Sequence, residues 1–184
     1  MLQEKGLNPK LTTHLEIDPM NGIHCTTGSL GHGLPLATGM AMGKKLQKKS
    51  GKIYVMMSDG ECQEGTTWES LLIAAKHKLD NLVVIVDYNK IQSYGFTKDV
   101  VDLEPLIDKW KSFGFDVSEI NGHDINQLTK NLIEFKKNKN NKPSVTICHT
   151  IKGKGFPFAE NNPYWHHKNS FSDEEIEELN NCLK

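Results

Sequence analysis

The sequence has no excess of charge: 22 basic and 23 acidic residues leave a net charge of −1. No basic stripe runs along any segment, so a nucleic-acid surface is not expected. The densest basic stretch, Lys136, Lys137, Lys139 and Lys142, lies among asparagines and reads as a solvated helix end and loop. No apolar run approaches the roughly 20 residues of a membrane span. Met1–Lys10 is polar and lacks the apolar core of a signal peptide. The four cysteines, Cys25, Cys62, Cys148 and Cys182, are widely separated and form no Cys-x-x-Cys pair. That argues against a zinc site or a disulfide framework, and leaves a soluble, cytoplasmic protein with reduced thiols as the expectation. Two nucleotide signatures are missing as well. Gly28, Gly31 and Gly33 follow G-x-x-G-x-G rather than G-x-G-x-x-G. Gly39 and Gly43 are one residue too close for a P-loop, and no Ser or Thr follows Lys44.

What is present is ordinary globular material, 37% hydrophobic and 24% charged over 184 residues, enough for one domain. Residues 1–27, with Pro9, Pro19 and Gly22, show little periodicity and read as an irregular lead-in. A helix is expected from Leu34 to Lys49, with Leu36, Met40, Gly43 and Leu46 on its buried face and Gly39 and Gly43 allowing another backbone close. Ile53–Met57 and Leu82–Val86 are short, continuous apolar runs of the kind found at the centre of a parallel sheet. Between them Gln63–Lys78 reads as a helix with Trp68, Leu71, Leu72 and Ala75 inward. The pattern continues with a helix over Leu103–Phe113, a strand over Asp116–Ile120, a helix over Asp124–Lys137 capped by Asp124 and a strand over Ser144–His149. A loop follows over 150–170, then a C-terminal helix over 172–183, opened by a capping box of Ser172 and Glu175. Alternating strands and helices predict an α/β fold, a doubly wound and mostly parallel sheet with helices on both faces. In such a fold, ligands bind at the carboxyl ends of the strands.

Asp59 and Asn89 each stand just beyond an apolar strand, 30 residues apart. One crossover helix fills the interval, so both side chains should emerge at the same sheet edge. A carboxylate beside an amide oxygen suits a hard cation, magnesium or calcium, which completes its shell from phosphate and water. Gly60 can offer an unobstructed backbone N–H to phosphate, aided by the following helix N-terminus. Thr26-Thr27-Gly28-Ser29-Leu30-Gly31-His32-Gly33 reads as a glycine-rich loop opening a helix. His24, His77, His123 and His149 read as surface or satisfied core histidines.

Ser58-Asp59-Gly60 followed by Asp87-Tyr88-Asn89 resembles the thiamine-diphosphate motif, with Ser58 in place of its first glycine. The intervening Glu61-Cys-Gln-Glu64-Gly65-Thr-Thr-Trp68-Glu69 is similar to the transketolase version of that motif. The resemblance implies a single diphosphate-binding domain over residues 1–184, in the thiamine-diphosphate-binding fold. It implies that Asp59, Asn89 and the carbonyl of Ile91 hold the metal, Mg2+ or Ca2+. It also implies that Gly28, Leu30, Gly60, Asn89 and His166 line or bind the cofactor, thiamine diphosphate. His32 stands where the family commonly has glutamine. Glu64 matches a glutamate that couples two active sites across a subunit interface. His14 resembles a histidine over the reacting substrate, and His166, beside His167, one that contacts diphosphate and substrate. These two are the catalytic candidates. The loop carrying Gly153 and Gly155 would close over the cofactor.

The implied activity is transfer of a two-carbon ketol unit between sugar phosphates, with the cofactor as electron sink. A second α/β domain, which binds the pyrimidine, would need about another hundred residues. It is expected on a separate C-terminal subunit, in a homo- or hetero-oligomer with no membrane or nucleic-acid partner. The family also has a further helical region ahead of this segment, which these residues do not include. Another thiamine-diphosphate lyase or synthase subunit, or a non-catalytic module retaining the fold, are the alternatives.

Overall fold

A computed structural model describes residues 14–137, 139–168 and 170–183; the first thirteen residues of the lead-in lie outside the described part. Helix α1 spans Gly33–Leu46, strand β1 Ile53–Ser58, α2 Gly65–Lys76 and β2 Leu82–Tyr88. A hairpin of β3 (Ile91–Gln92) and β4 (Gly95–Phe96) follows, then α3 (Thr97–Val100), α4 (Leu106–Ser112) and β5 (Asp116–Asn121). Helix α5 (Ile125–Lys137), β6 (Ser144–His149) and α6 (Asp173–Cys182) complete the order. Strands β1, β2, β6 and β5 form, in that order, a four-stranded parallel sheet. The small hairpin is antiparallel and stands apart from it.

Strand alternation assigns the two faces. Leu82, Val84 and Val86 of β2, with Val145 and Ile147 of β6, enter one core with Leu34, Ala37 and Ala41 of α1, Leu71 and Ala74 of α2, and Leu106 and Trp110 of α4. The residues between them point the other way, toward α5. There Asn131 donates to Ser118 Oγ at 2.8 Å and accepts from Thr146 Oγ1. A buried polar ladder of this kind is tolerated because each member has a partner.

Several sequence expectations change. The buried side of α1 is Leu34, Ala37, Thr38 and Ala41. Leu36, Met40 and Leu46 are exposed instead. A Cβ added at Gly39 or Gly43 would meet nothing within 4 Å, so neither glycine serves a close approach among the described residues. The buried face is rotated from the expected one, because alanines and a threonine carry the contact in place of larger side chains. In α2, Leu71 and Ala74 are buried while Leu72 is exposed. Helix α2 begins at Gly65, after a 3-10 turn over Gly60–Gln63. Helix α4 begins only at Leu106, because Pro105 disfavours helical backbone in the residue before it. At α5, Asp124 is the cap that the sequence leads one to expect, its carboxylate accepting from the backbone N–H groups of Asn126 and Gln127. The capping box of Ser172 and Glu175 is formed.

Trp110 is fully buried, 6.1 Å from Trp68 and edge-on to Phe115 at 5.1 Å between ring centroids. Its indole N–H has no hydrogen-bond partner. Trp110→Ala should therefore lower unfolding free energy by about 3–5 kcal/mol in urea titration. Trp110→Phe, which also removes the unpaired N–H, should lose much less. Equal losses for the two variants would show that ring packing is not what Trp110 contributes.

Candidate functional site

The parallel register brings the strand ends level: Ser58 lies opposite Asp87, Asp87 opposite Cys148, and Tyr88 opposite His149. The residues that follow each end therefore share one rim. Asp59 follows β1, the edge strand of the described sheet, and is 1% exposed. Its N–H donates to the carbonyl of Asp87 at 3.2 Å. Its carboxylate accepts from the N–H groups of Gly60, at 2.7 Å, and Lys90, at 2.5 Å. Burial pushes the Asp59 pKa up to about 6, against those two N–H bonds, with the Asp87 carboxylate adding repulsion and Lys152 attraction. Such a carboxylate is costly in the ligand-free protein and well suited to a cation that restores its charge balance.

Asn89 emerges on the neighbouring loop, its amide donating to Asp87 at 3.2 Å and its oxygen accepting from Ile91 N at 3.0 Å. Thr150, after β6, donates to the same Asp87 carboxylate. Ile91 opens the β3–β4 hairpin and is buried. Among the described residues no group of three or more His, Cys, Asp or Glu side chains could hold a metal. The candidate set of one carboxylate, one amide oxygen and one carbonyl lies outside such a grouping. Gly60 differs from the expectation. Its N–H is engaged by Asp59, and it starts a 3-10 turn rather than α2. What Gly60 supplies is room, since a Cβ there would come within 3.2 Å of the Gln92 side chain.

Two buried nitrogens, one on the β3–β4 hairpin and one on the residue that meets it, lack partners: Gln92 Nε2 and His166 Nδ1. The His166 ring is held from its other side, Nε2 lying 3.2 Å from Ser93 Oγ. Unpaired buried nitrogens at a hairpin tied to Asp59 fit a ligand with several acceptor oxygens, as a diphosphate has. Lys152, on the same loop as His166, places positive charge near both Asp59 and His166.

The glycine-rich loop stands on the adjoining side of the rim. Gly31 has φ +75°, and a Cβ there would approach Thr66 Oγ1 to 2.5 Å and Glu64 Cβ to 2.6 Å. Its N–H donates to buried Glu61 at 2.9 Å, and its carbonyl accepts from Thr66 Oγ1 at 2.7 Å. Burial raises the Glu61 pKa, opposed by that N–H. A cleft of about 370 Å³ runs between this loop and β1, lined by His14, Cys25, Gly28, Leu30, Met56 and Glu61 among others. The His14 ring packs against Gly28, so a Cβ there would sit 3.1 Å from it. His32 also lines this cleft, its Nδ1 2.9 Å from the Leu30 carbonyl. His14 and Leu30 thus line the cleft, whereas His166 stands over the hairpin.

The 150–170 loop is packed against itself. Lys154 pairs with Glu160 at 3.3 Å, and Gly153 has φ +78° with the Ala159 carbonyl 2.5 Å from where a Cβ would be. Phe158, Trp165 and Phe171 stack in sequence at 5.0 and 5.7 Å between ring centroids. The rings connect the His166 segment to the approach to α6.

Residues 2–183 match the family described as transketolase, thiamine diphosphate binding domain. The chain belongs to the transketolase family. It is 46% identical over 165 residues to an apulose-4-phosphate transketolase subunit of Actinobacillus succinogenes, covering 90% of this chain and 59% of that protein. It is 41% identical over 150 residues to 6-deoxy-6-sulfo-D-fructose transketolase subunit SqwG of a Clostridium species, covering 82% and 54%. The crystal structure of Campylobacter jejuni transketolase superposes with a TM-score of 0.72 at 34% identity, over 80% of this chain and 24% of that one. Leishmania mexicana transketolase gives 0.71 at 25% identity, over 88% and 29%. The chain thus spans little more than half the length of these subunit relatives. Its parallel sheet with helices on both faces is the fold of this transketolase domain. No helix among the described residues is long and apolar enough to cross a membrane.

Sequence reasoning assigned no role to Glu61, Gln92, Ser93 or Lys152. The first was visible as a carboxylate two residues after Asp59, but its partner Gly31 is thirty residues back. Ser93 and Gln92 sit in a two-residue strand and its turn, too short for a periodic signal.

Two outcomes follow from this geometry. Gly31→Ala should lower thermal stability by roughly 1–3 kcal/mol, from positive φ and the clash with Glu64 and Thr66; an unchanged melting temperature would rule out the strain. The Asp59 pKa is raised in the fold from 3.8 to about 6. Its contribution to ligand-free stability is therefore present below about pH 4 and lost as pH rises through about 6. The stability of the wild type relative to Asp59→Asn, read as urea midpoints, should fall between those pH values. A constant difference would contradict the shift.

Proposed function

We propose that this chain is the thiamine-diphosphate- and metal-binding part of a transketolase-type transferase that moves a two-carbon ketol unit between sugar phosphates. The observation that carries the reading is the buried Asp59 carboxylate beside Asn89, with the unpaired Gln92 and His166 nitrogens at the hairpin that Lys90 ties to it. Asp59, Asn89 and the Ile91 carbonyl would hold Mg2+ or Ca2+, as hard cations take oxygen ligands. Gly60 leaves room for the Gln92 side chain, and His166 and Gln92 donate to diphosphate oxygens. Gly28 and Leu30 line the adjoining cleft, and His14 is positioned there to hold or move a proton at a substrate hydroxyl. When bound, thiamine diphosphate supplies an electron sink for breaking and making the carbon–carbon bond.

Relatives that are themselves named as transketolase subunits support an enzyme built from two polypeptides. A separate C-terminal subunit would bring the pyrimidine-binding domain, and the active site would form between subunits in the cytoplasm. Relatives named for apulose 4-phosphate and for 6-deoxy-6-sulfo-D-fructose support a phosphorylated or similarly anionic sugar as substrate.

Calorimetric titration of the chain with thiamine diphosphate and Mg2+, in the presence of the pyrimidine-domain subunit, should give saturable binding that a chelator reverses. Asp59→Ala should weaken it at least a hundredfold. Absence of wild-type binding, or equal binding by Asp59→Ala, would sink the proposal.

A further inference from the structure

We propose that Ser93 is a positioning residue for His166: its hydroxyl donates to Nε2, keeps the ring proton on Nδ1, and so makes Nδ1–H a donor to an anionic diphosphate oxygen. The inference deepens the proposed function and rests on it. Ser93 Oγ lies 3.2 Å from Nε2, while Nδ1 is buried and unpartnered. The ring is neutral at pH 7, because burial, helped by Lys152 and the adjacent His167, pushes its pKa down to about 4. A neutral imidazole carries one N–H, and the hydrogen bond at one nitrogen decides what the other can do. With the proton on Nε2, Nδ1 would present a bare lone pair, which repels an anionic oxygen. With Ser93 donating, the buried nitrogen becomes a donor in search of an acceptor, as Gln92 Nε2 already is.

The backbone explains why a serine at this place can hold the ring. Ser93 and Tyr94 form the turn between Gln92 and Gly95, which are paired across the β3–β4 hairpin. The base of that hairpin is fixed twice, by Lys90 N on the Asp59 carboxylate and by Thr97 N on the Lys90 carbonyl at 2.9 Å. Ser93 is thereby referenced to the Asp59 carboxylate rather than to the loop that carries His166. The 151–166 loop brings the imidazole to the hairpin, and the hairpin orients it.

The test is 15N NMR of the chain labelled at histidine, free and with magnesium pyrophosphate, for wild type, Ser93→Ala and Ser93→Thr. Wild type should show a protonated Nδ1 and an unprotonated Nε2 at His166 in the free chain. Ser93→Ala should lose that signature and bind magnesium pyrophosphate roughly three- to tenfold more weakly, the scale of one neutral hydrogen bond. Ser93→Thr, which keeps the hydroxyl, should restore both. A proton on Nε2 in the wild type, or a Ser93→Ala variant with unchanged tautomer and affinity, overturns the role of Ser93. If wild type binds neither pyrophosphate nor thiamine diphosphate with the pyrimidine-domain subunit present, the proposed function fails instead, and the free-chain tautomer still decides what Ser93 does.

Discussion

The Asp59 carboxylate accepts one hydrogen bond from its own turn and one from the loop after β2, while its N–H reaches the Asp87 carbonyl. These bonds fasten two neighbouring strand ends to each other through a charge removed from water. Burial of an unpaired carboxylate is unfavourable, and the fold tolerates it here because oriented backbone N–H groups replace part of the lost hydration. The arrangement leaves the charge only partly balanced, which is the demand that the proposed cation would meet. Position and demand thus come from one feature: the bonds that hold Asp59 still are too few to neutralise it.

The rest of the rim is organised around that tie. The 3-10 turn after Asp59 carries a second buried acid, Glu61, which reaches across to the N–H of Gly31. Gly31 can donate that bond only with a left-handed backbone and no side chain, since Glu64 and Thr66 occupy the space a Cβ would need. The glycine loop is therefore set by the same turn that carries the metal-ligand candidate. On the other side, Lys90 links Asp59 to the β3–β4 hairpin, and the hairpin meets His166 through Ser93. Three segments distant in sequence are thus referenced to one turn.

Polarity and burial are divided in the same way within the sheet. The face shared with α1, α2 and α4 is aliphatic and aromatic, and Trp110 fills its centre. The face shared with α5 includes the hydrogen-bonded set of Asn131, Ser118 and Thr146. A largely apolar, close-packed core on the α1 side, which also takes in Thr38, restricts movement of the strand ends. That rigidity is what a site made of backbone carbonyls and N–H groups needs, because such groups cannot adjust independently of the chain.

Much of this was legible from the order of residues. The apolar run ending in Asp87-Tyr88-Asn89 is the buried central strand its composition predicts. Ile53–Ser58, expected at the sheet centre as well, is instead an edge strand of the described sheet with only Met57 buried, because composition does not record which side of a strand lacks a neighbour. Ser172 and Glu175 define a helix start because a capping box acts locally. The buried side of α1 is not legible in this way, because Ala37, Thr38 and Ala41 carry its contact while the larger Leu36 and Met40 face outward; hydrophobicity alone favours the wrong residues. The bond from Gly31 to Glu61 and the meeting of Ser93 with His166 had no local signature. Each joins groups whose separation in space is set by how strands and loops pack. Sequence by itself determined the strands, the crossover and the kinds of group at their ends. Only the tertiary structure decided which nitrogens those groups already bind and which remain unpaired, because hydrogen-bond geometry is fixed by packing rather than by spacing along the chain.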